Sequence, residues 1–112
     1  MILGFIGIGK ISSSVIKGIL NSKIKYKRII LSPRNKKISK YLKNKSKKVE
    51  IAKSNQDVIN RSNWIFLAVT PLVGNKIIKI LKFKKKQIII SFISTITLSQ
   101  LKKYIKVKAS IV

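Results

Sequence analysis

Two periods of apolar residues alternate along the chain. Ile2 to Ile6 is a nearly unbroken apolar run, which predicts a buried strand. Beyond Gly7 and Gly9 the spacing turns helical, with Ile11, Val15, Ile16, Ile19 and Leu20 on one face. The pattern then repeats. Arg28 to Leu31 reads as a second strand, ended by the turn Ser32-Pro33-Arg34-Asn35. Residues 36–44 read as a short helix carrying Ile38, Tyr41 and Leu42, and Val49 to Ala52 as a third strand. Ser54 to Asp57 starts a helix with Val58 and Ile59 on its apolar face. Trp64 to Val69 is apolar throughout, as expected of a strand covered on both faces. Leu72 to Phe83 has helical spacing at Val73, Ile77, Ile78 and Leu81, and Lys84 to Lys86 is a solvated turn. Gln87 to Phe92 is a fifth strand, Thr97 caps a short fifth helix, and Lys106 to Val112 is a sixth strand. Strict strand–helix alternation with short connections predicts an α/β fold. Its form is a doubly wound parallel sheet of about six strands in a three-layer αβα arrangement, with residues 1–112 as one domain.

Composition narrows the chemistry. Of the 112 residues, 46% are hydrophobic, enough for a core, but no apolar run approaches the roughly 18 residues needed to span a bilayer. The N-terminus has no basic region ahead of its apolar run, so it does not read as a secretion signal. A cytoplasmic protein with no membrane partner is expected. There is no cysteine and no histidine, and the only acids are Glu50 and Asp57. A metal site built by the protein is therefore not expected, and no residue suggests itself as a catalytic acid or base.

The net charge of +24 points toward polyanions. Against a dedicated nucleic-acid surface, the lysines lie in every segment rather than on one helix, and Lys, Ile and Asn are enriched together, as A/T-rich codons would do. Non-specific polyanion binding at low salt is expected.

The chemistry that does stand out lies between the first strand and first helix. Gly7-Ile8-Gly9-Lys10-Ile11-Ser12 has the spacing G-x-G-x-x-S, one residue type from a dinucleotide fingerprint, in the strand–turn–helix setting that the fingerprint requires. Gly7 allows the tight turn, Gly9 lets a pyrophosphate lie against the backbone, and Ser12 is small enough for helix and strand to pack closely. The helix N-terminus then offers free N–H groups to phosphate. Residues Ile6, Gly7, Ile8, Gly9, Lys10, Ile11 and Ser12 are thus the expected phosphate turn of a Rossmann-type fold. Taken alone, the same pattern could be a strand-to-helix turn without a ligand.

The end of the second strand bears on which dinucleotide. An NAD site usually has an acid there for the ribose hydroxyls. Here Ser32, Arg34 and Asn35 stand without one, which suits a 2′-phosphate and reads as NADP(H) rather than NAD(H). Asn55 could cap the third helix or meet a ribose. Ala68-Val69-Thr70-Pro71 ends the fourth strand where a nicotinamide half could lie, or is simply a strand terminator.

Together these residues resemble the N-terminal domain of pyrroline-5-carboxylate reductase. The resemblance rests on Gly4-Phe5-Ile6-Gly7-x-Gly9, Ile16-Lys17-Gly18-Ile19-Leu20, Ser32-x-Arg34-Asn35, Phe66-Leu67-Ala68-Val69-Thr70-Pro71, Ile89-Ile90-Ser91 and Thr97-Leu98-x-x-Leu101, in that order. It implies an NADPH-binding domain for hydride transfer to the C=N bond of pyrroline-5-carboxylate, giving proline. The glycine turn would hold pyrophosphate; Ser32, Arg34 and Asn35 the adenosine phosphate; Asn55 the adenosine ribose region; and Ala68 to Pro71 the nicotinamide half. The family's C-terminal helical dimerisation and substrate domain has no counterpart in these 112 residues, so a separate C-terminal domain or self-association is expected to cover an apolar seam. Ser12, Thr70 and Ile93-Ser94-Thr95 depart from the family pattern. Those departures motivate the alternatives of a degenerate or regulatory nucleotide-binding module; charge alone motivates a nucleic-acid-binding domain.

Overall fold

Strands and helices alternate along the whole chain, as the apolar pattern requires. The elements are β1 (Ile2–Ile6), α1 (Lys10–Leu20), β2 (Arg28–Leu31), α2 (Lys36–Lys43), β3 (Val49–Ile51), α3 (Asn55–Arg61), β4 (Trp64–Leu67), α4 (Pro71–Ile78), β5 (Ile88–Ser91), α5 (Leu98–Tyr104) and β6 (Ser110–Ile111). The computed structural model describes residues 1–93, 98–105 and 110–111. Thr97, expected to cap α5, and the Ser94–Thr95 turn lie outside these residues, as does most of the expected sixth strand.

The strands form one parallel sheet in the order β3-β2-β1-β4-β5-β6. The order reverses between β1 and β4, and ligands of such sheets bind at the carboxyl ends of the strands around that reversal. Phe5 is in register with Leu31 on one side and Phe66 on the other. Alternate residues then feed two cores. Ile6, Ile30, Ile65, Leu67 and Ile89 share a core with Val58 and Ile59 of α3 and Ile78 of α4. Leu3, Phe5, Ile29, Leu31 and Phe66 pack with Ile16 and Ile19 of α1 and Leu42 of α2. The rings of Phe5 and Phe66 stack at 4.4 Å between centroids. With both faces buried, apolar residues at consecutive positions are a requirement of the fold.

Helix α4 is shorter than its apolar spacing suggests. It stops at Ile78, and the side chain of Gln56 takes hold of the backbone that follows. Gln56 Oε1 accepts from the N–H of Lys82 (2.9 Å) and its Nε2 donates to the Lys82 carbonyl (2.7 Å). Phe83 reaches the core from this non-helical segment, while Ile80 is left exposed. Buried Gln87 precedes β5. It donates to the carbonyls of Ile59 (2.7 Å) and Ser62 (3.0 Å) at the end of α3 and accepts from the N–H of Lys84 (2.7 Å). Its polar ends are thereby satisfied. No helix among the described residues is long and apolar enough to cross a membrane.

The seating of α3 on β1 depends on Gly4. A Cβ there would fall 2.2 Å from Ser62 Oγ and 2.7 Å from Val58 Cγ1. Gly4→Ala is expected to lower stability by about 1–3 kcal/mol, as overpacking does. A urea unfolding midpoint equal to that of the parent chain would contradict this close contact.

Candidate functional site

At the carboxyl end of the sheet, β1 leaves the core at Ile6, whose side chain is fully buried, and turns through Gly7 at φ +89°. A side chain is disfavoured there twice over, by that angle and because a Cβ would lie 2.7 Å from the carbonyl group of Ala68. The turn is tied to β2 by Ser32, whose Oγ accepts from the Gly7 N–H at 3.0 Å. Ser12, fully buried in the first turn of α1, donates its hydroxyl to the Gly7 carbonyl at 2.6 Å. The third small residue of the fingerprint thus fits by size and also fastens the turn to the helix that follows it.

Gly9 is the N-cap of α1, in extended conformation, and no side chain caps the helix. A Cβ at Gly9 would meet nothing within 4 Å. The helix end thus has no side-chain cap and has open space beside Gly9, with the partial positive charge of the helix behind it. Of the remaining turn residues, Ile8 is buried in the core that α1 covers, whereas Lys10 and Ile11 are exposed.

An open cleft of about 310 Å³ lies over this turn. It brings together Gly7, Ile8 and Gly9, Arg34 and Asn35 after β2, and Ala68, Val69 and Thr70 after β4. Segments more than 60 positions apart in sequence thus meet where the sequence placed a dinucleotide. Val73, one turn into α4, lines it too and was not expected. Thr70 caps α4 through the Val73 N–H (3.4 Å), and no sequence signal marks Val73 beyond its place on the apolar face of that helix.

The polar residues after β2 divide by role. Ser32 is 1% exposed and its hydroxyl holds Gly7, so it supports the turn instead of lining the cleft. Asn35 adopts a left-handed conformation (φ 46°), with Oδ1 capping α2 and Nδ2 donating to the Ile8 carbonyl at 2.8 Å. It lines the cleft with both ends of its amide already engaged. Arg34 is exposed, lines the cleft and has no partner among the described residues.

Asn55 is not the cap of α3. Ser54 is, accepting from the Asp57 N–H at 3.1 Å, and Asn55 is the first helical residue, outside the cleft lining. A serine in extended conformation one position earlier satisfies that helix end, which removes the capping reading of Asn55. Pro71 opens α4 as its first residue.

No acid lines the cleft. Glu50 and Asp57 pair elsewhere: Glu50 with Arg28 (3.7 Å) and Arg61, and Asp57 with Arg61 (3.6 Å). Among the described residues, no cluster of potential metal ligands forms. An uncapped helix end, an unobstructed Gly9 and an unpaired guanidinium together fit a ligand carrying a pyrophosphate and a further phosphate.

Comparison with known proteins bears on the family and the fold. The family model described as NADP oxidoreductase coenzyme F420-dependent matches residues 2–95. Pyrroline-5-carboxylate reductase 3 of Danio rerio is 34% identical over 103 residues, covering 88% of this chain and 35% of that protein. The structure of 1-pyrroline-5-carboxylate reductase from Streptococcus pyogenes superposes with a TM-score of 0.75 at 30% identity, over 96% of this chain and 39% of that one. The Plasmodium falciparum pyrroline carboxylate reductase, solved with NADP bound, shares the fold with a TM-score of 0.75 at 22% identity, over 92% of this chain and 37% of that one. The chain spans about a third of the length of the curated relative it matches.

Because Ser32 holds the turn and Arg34 makes no hydrogen bond or ion pair among the described residues, their substitutions should separate. Ser32→Ala is expected to cost about 1–3 kcal/mol through the unpaired Gly7 N–H, and Arg34→Ala essentially nothing. Chemical denaturation of the two variants checks this, and equal stabilities would refute the assignment of Ser32 to the turn.

Proposed function

The chain belongs to the NADP oxidoreductase family described as coenzyme F420-dependent, and on that premise we propose that it is the NADPH-binding domain of an imine reductase resembling pyrroline-5-carboxylate reductase. The observation that carries the reading is the cleft itself, in which the uncapped end of α1, the bare Gly9 and the unpaired Arg34 converge without an acid among them. In this reading the α1 N–H groups and Gly9 hold the pyrophosphate. Arg34 pairs with the 2′-phosphate, with the Asn35 amide beside it. Ala68 to Pro71 flank the nicotinamide half. Asn55 lies near the adenosine ribose by resemblance only.

When bound, the cofactor supplies a hydride for a C=N bond such as that of pyrroline-5-carboxylate. The protein's own part is to bind and orient. Among the described residues no acid lines the cleft, and turnover to proline is proposed for this domain together with the helical remainder of such a reductase. That remainder, or a second copy of the chain, is the proposed cover for Ile11 and Leu72, which are exposed within two positions of cleft residues in sequence. A nucleotide-binding module without catalysis is the second reading. It is favoured by Thr70, which departs from the family pattern and whose hydroxyl caps α4.

Calorimetric titration with NADPH and with NADH at moderate salt tests the proposal. NADPH is expected to bind more tightly than NADH. Gly9→Val should abolish binding of both while the chain still folds, because a Cβ there meets nothing of the protein within 4 Å. Arg34→Asp should weaken NADPH by about tenfold or more, given roughly 1.5–3 kcal/mol for a hydrogen bond to a charged group, and leave NADH nearly unaffected. Absence of binding by either nucleotide would overturn the cofactor reading. Equal losses for both in Arg34→Asp would overturn the 2′-phosphate assignment.

A further inference from the structure

Tyr41 of α2 is 47% exposed, and two ammonium groups from outside that helix meet its ring. Lys17 of α1 places Nζ 5.1 Å from the ring centroid, and Lys45, just after α2, places Nζ 4.9 Å from it. Both lie within the range at which a cation is held by an aromatic face. An open groove of about 450 Å³ runs beside the ring. Lys17, Lys37 and Ile38 line it together with Tyr41, and no acid does.

Lysines cover the whole surface of this chain, so the charge alone would mark nothing. What singles the place out is an accessible phenol between two of them. A hydrogen bond from Lys45 and the positive charges of Lys17 and Lys45 hold the Tyr41 hydroxyl below the ordinary tyrosine range. No carboxylate offsets them, since α1, α2 and residues 44–48 contain no acid, and Glu50 and Asp57 pair with Arg28 and Arg61. A phenol attacks as its phenolate, so more of Tyr41 is in the nucleophilic form at any pH. The surface lysines stay protonated at neutral pH and compete poorly. The groove adds a place for a reagent, with Lys17 and Lys37 for an anionic end and Ile38 for an apolar one. Tyr26 is the internal comparison: it is half-buried and has one lysine over its ring, Lys48 at 5.0 Å.

We propose that Tyr41 is a covalent modification site, O-acylated by an acyl phosphate whose phosphate end is held by Lys17 and Lys37. The phenolate oxygen bonds to the acyl carbon, and the bond from that carbon to the phosphate oxygen breaks. Phosphate leaves with the electron pair, and the phenolic proton goes to water. The step makes no use of the glycine turn, so it does not rest on the cofactor reading.

The test treats the full chain with acetyl phosphate at neutral pH and moderate salt. Peptide mass mapping before and after hydroxylamine, which strips acetyl from tyrosine oxygen but not from lysine nitrogen, locates the label. Tyr41 is expected to react about fivefold or more faster than Tyr26. Its rate should saturate with acetyl phosphate and fall when inorganic phosphate is added. Lys45→Gln should slow the reaction at neutral pH and move the midpoint of the pH–rate profile upward, because a charge that favours the phenolate is gone. Its unfolding midpoint should stay near that of the parent chain. Lys37→Gln should raise the acetyl phosphate concentration needed for half-saturation. Neutral N-acetylimidazole should keep the preference for Tyr41 without inhibition by phosphate. The proposal is overturned if Tyr26 reacts as fast as Tyr41, or if Lys45→Gln leaves the pH profile in place. It is also overturned if the rate rises linearly with acetyl phosphate and is indifferent to inorganic phosphate.

Discussion

The contact between Gly7 and the Ala68 carbonyl group governs the carboxyl end of the sheet. A missing side chain lets the chain leave β1 at a left-handed angle, pass directly under the segment after β4, and start α1 with no side-chain cap on its first N–H groups. Two hydroxyls then fix what the glycine permits. Ser32 reaches from β2 to the Gly7 N–H, and Ser12 reaches back from α1 to the Gly7 carbonyl. Both polar groups of one peptide residue are thus met by side chains from different elements, as buried backbone demands. The positions of Arg34 and Thr70 about the cleft follow, because the segments that carry them are joined to this turn or pack on it.

Electrostatics divides the molecule in the same way. The only two carboxylates are gathered with Arg28 and Arg61 around β3 and α3, away from the cleft lining. These pairs are partly exposed and contribute little to stability. Their location matters more than their strength, because the cleft keeps an undiluted positive field from Arg34 and the helix end. At low salt this field adds to the attraction that +24 exerts on any polyanion, so non-specific adhesion is set apart by its steeper salt dependence.

The fold was legible in the sequence because β1, β2, β4 and β5 carry apolar residues at consecutive positions, as a sheet buried on both faces needs. Strands β1, β2 and β4 begin where the apolar runs do, and α1 follows the glycines directly. The end of α4 was not legible, since Leu81 and Phe83 continue an apolar rhythm while a distant glutamine draws Lys82 out of the helix. The glycine turn and Arg34 were legible from spacing and from the missing acid. The division of labour among Ser32, Arg34 and Asn35 was not. All three can face a phosphate on paper, and only the packing shows that two of them hold the turn in shape. Val73 escaped for a related reason, because cleft membership depends on where α4 points, not on what Val73 is.

The phosphate site proposed at the glycine turn would consist of main-chain N–H groups and an absent side chain, and that changes what mutation can reach. A drift in codon usage that replaces surface residues with lysine, isoleucine and asparagine alters every exposed face. It leaves a main-chain donor where it was, because each residue other than proline supplies the same N–H. What such drift can damage is a short set of positions: Gly7, Gly9, Ser12 and Ser32. A chain with this construction can become compositionally extreme while its ligand-facing geometry stays within reach of selection at four residues.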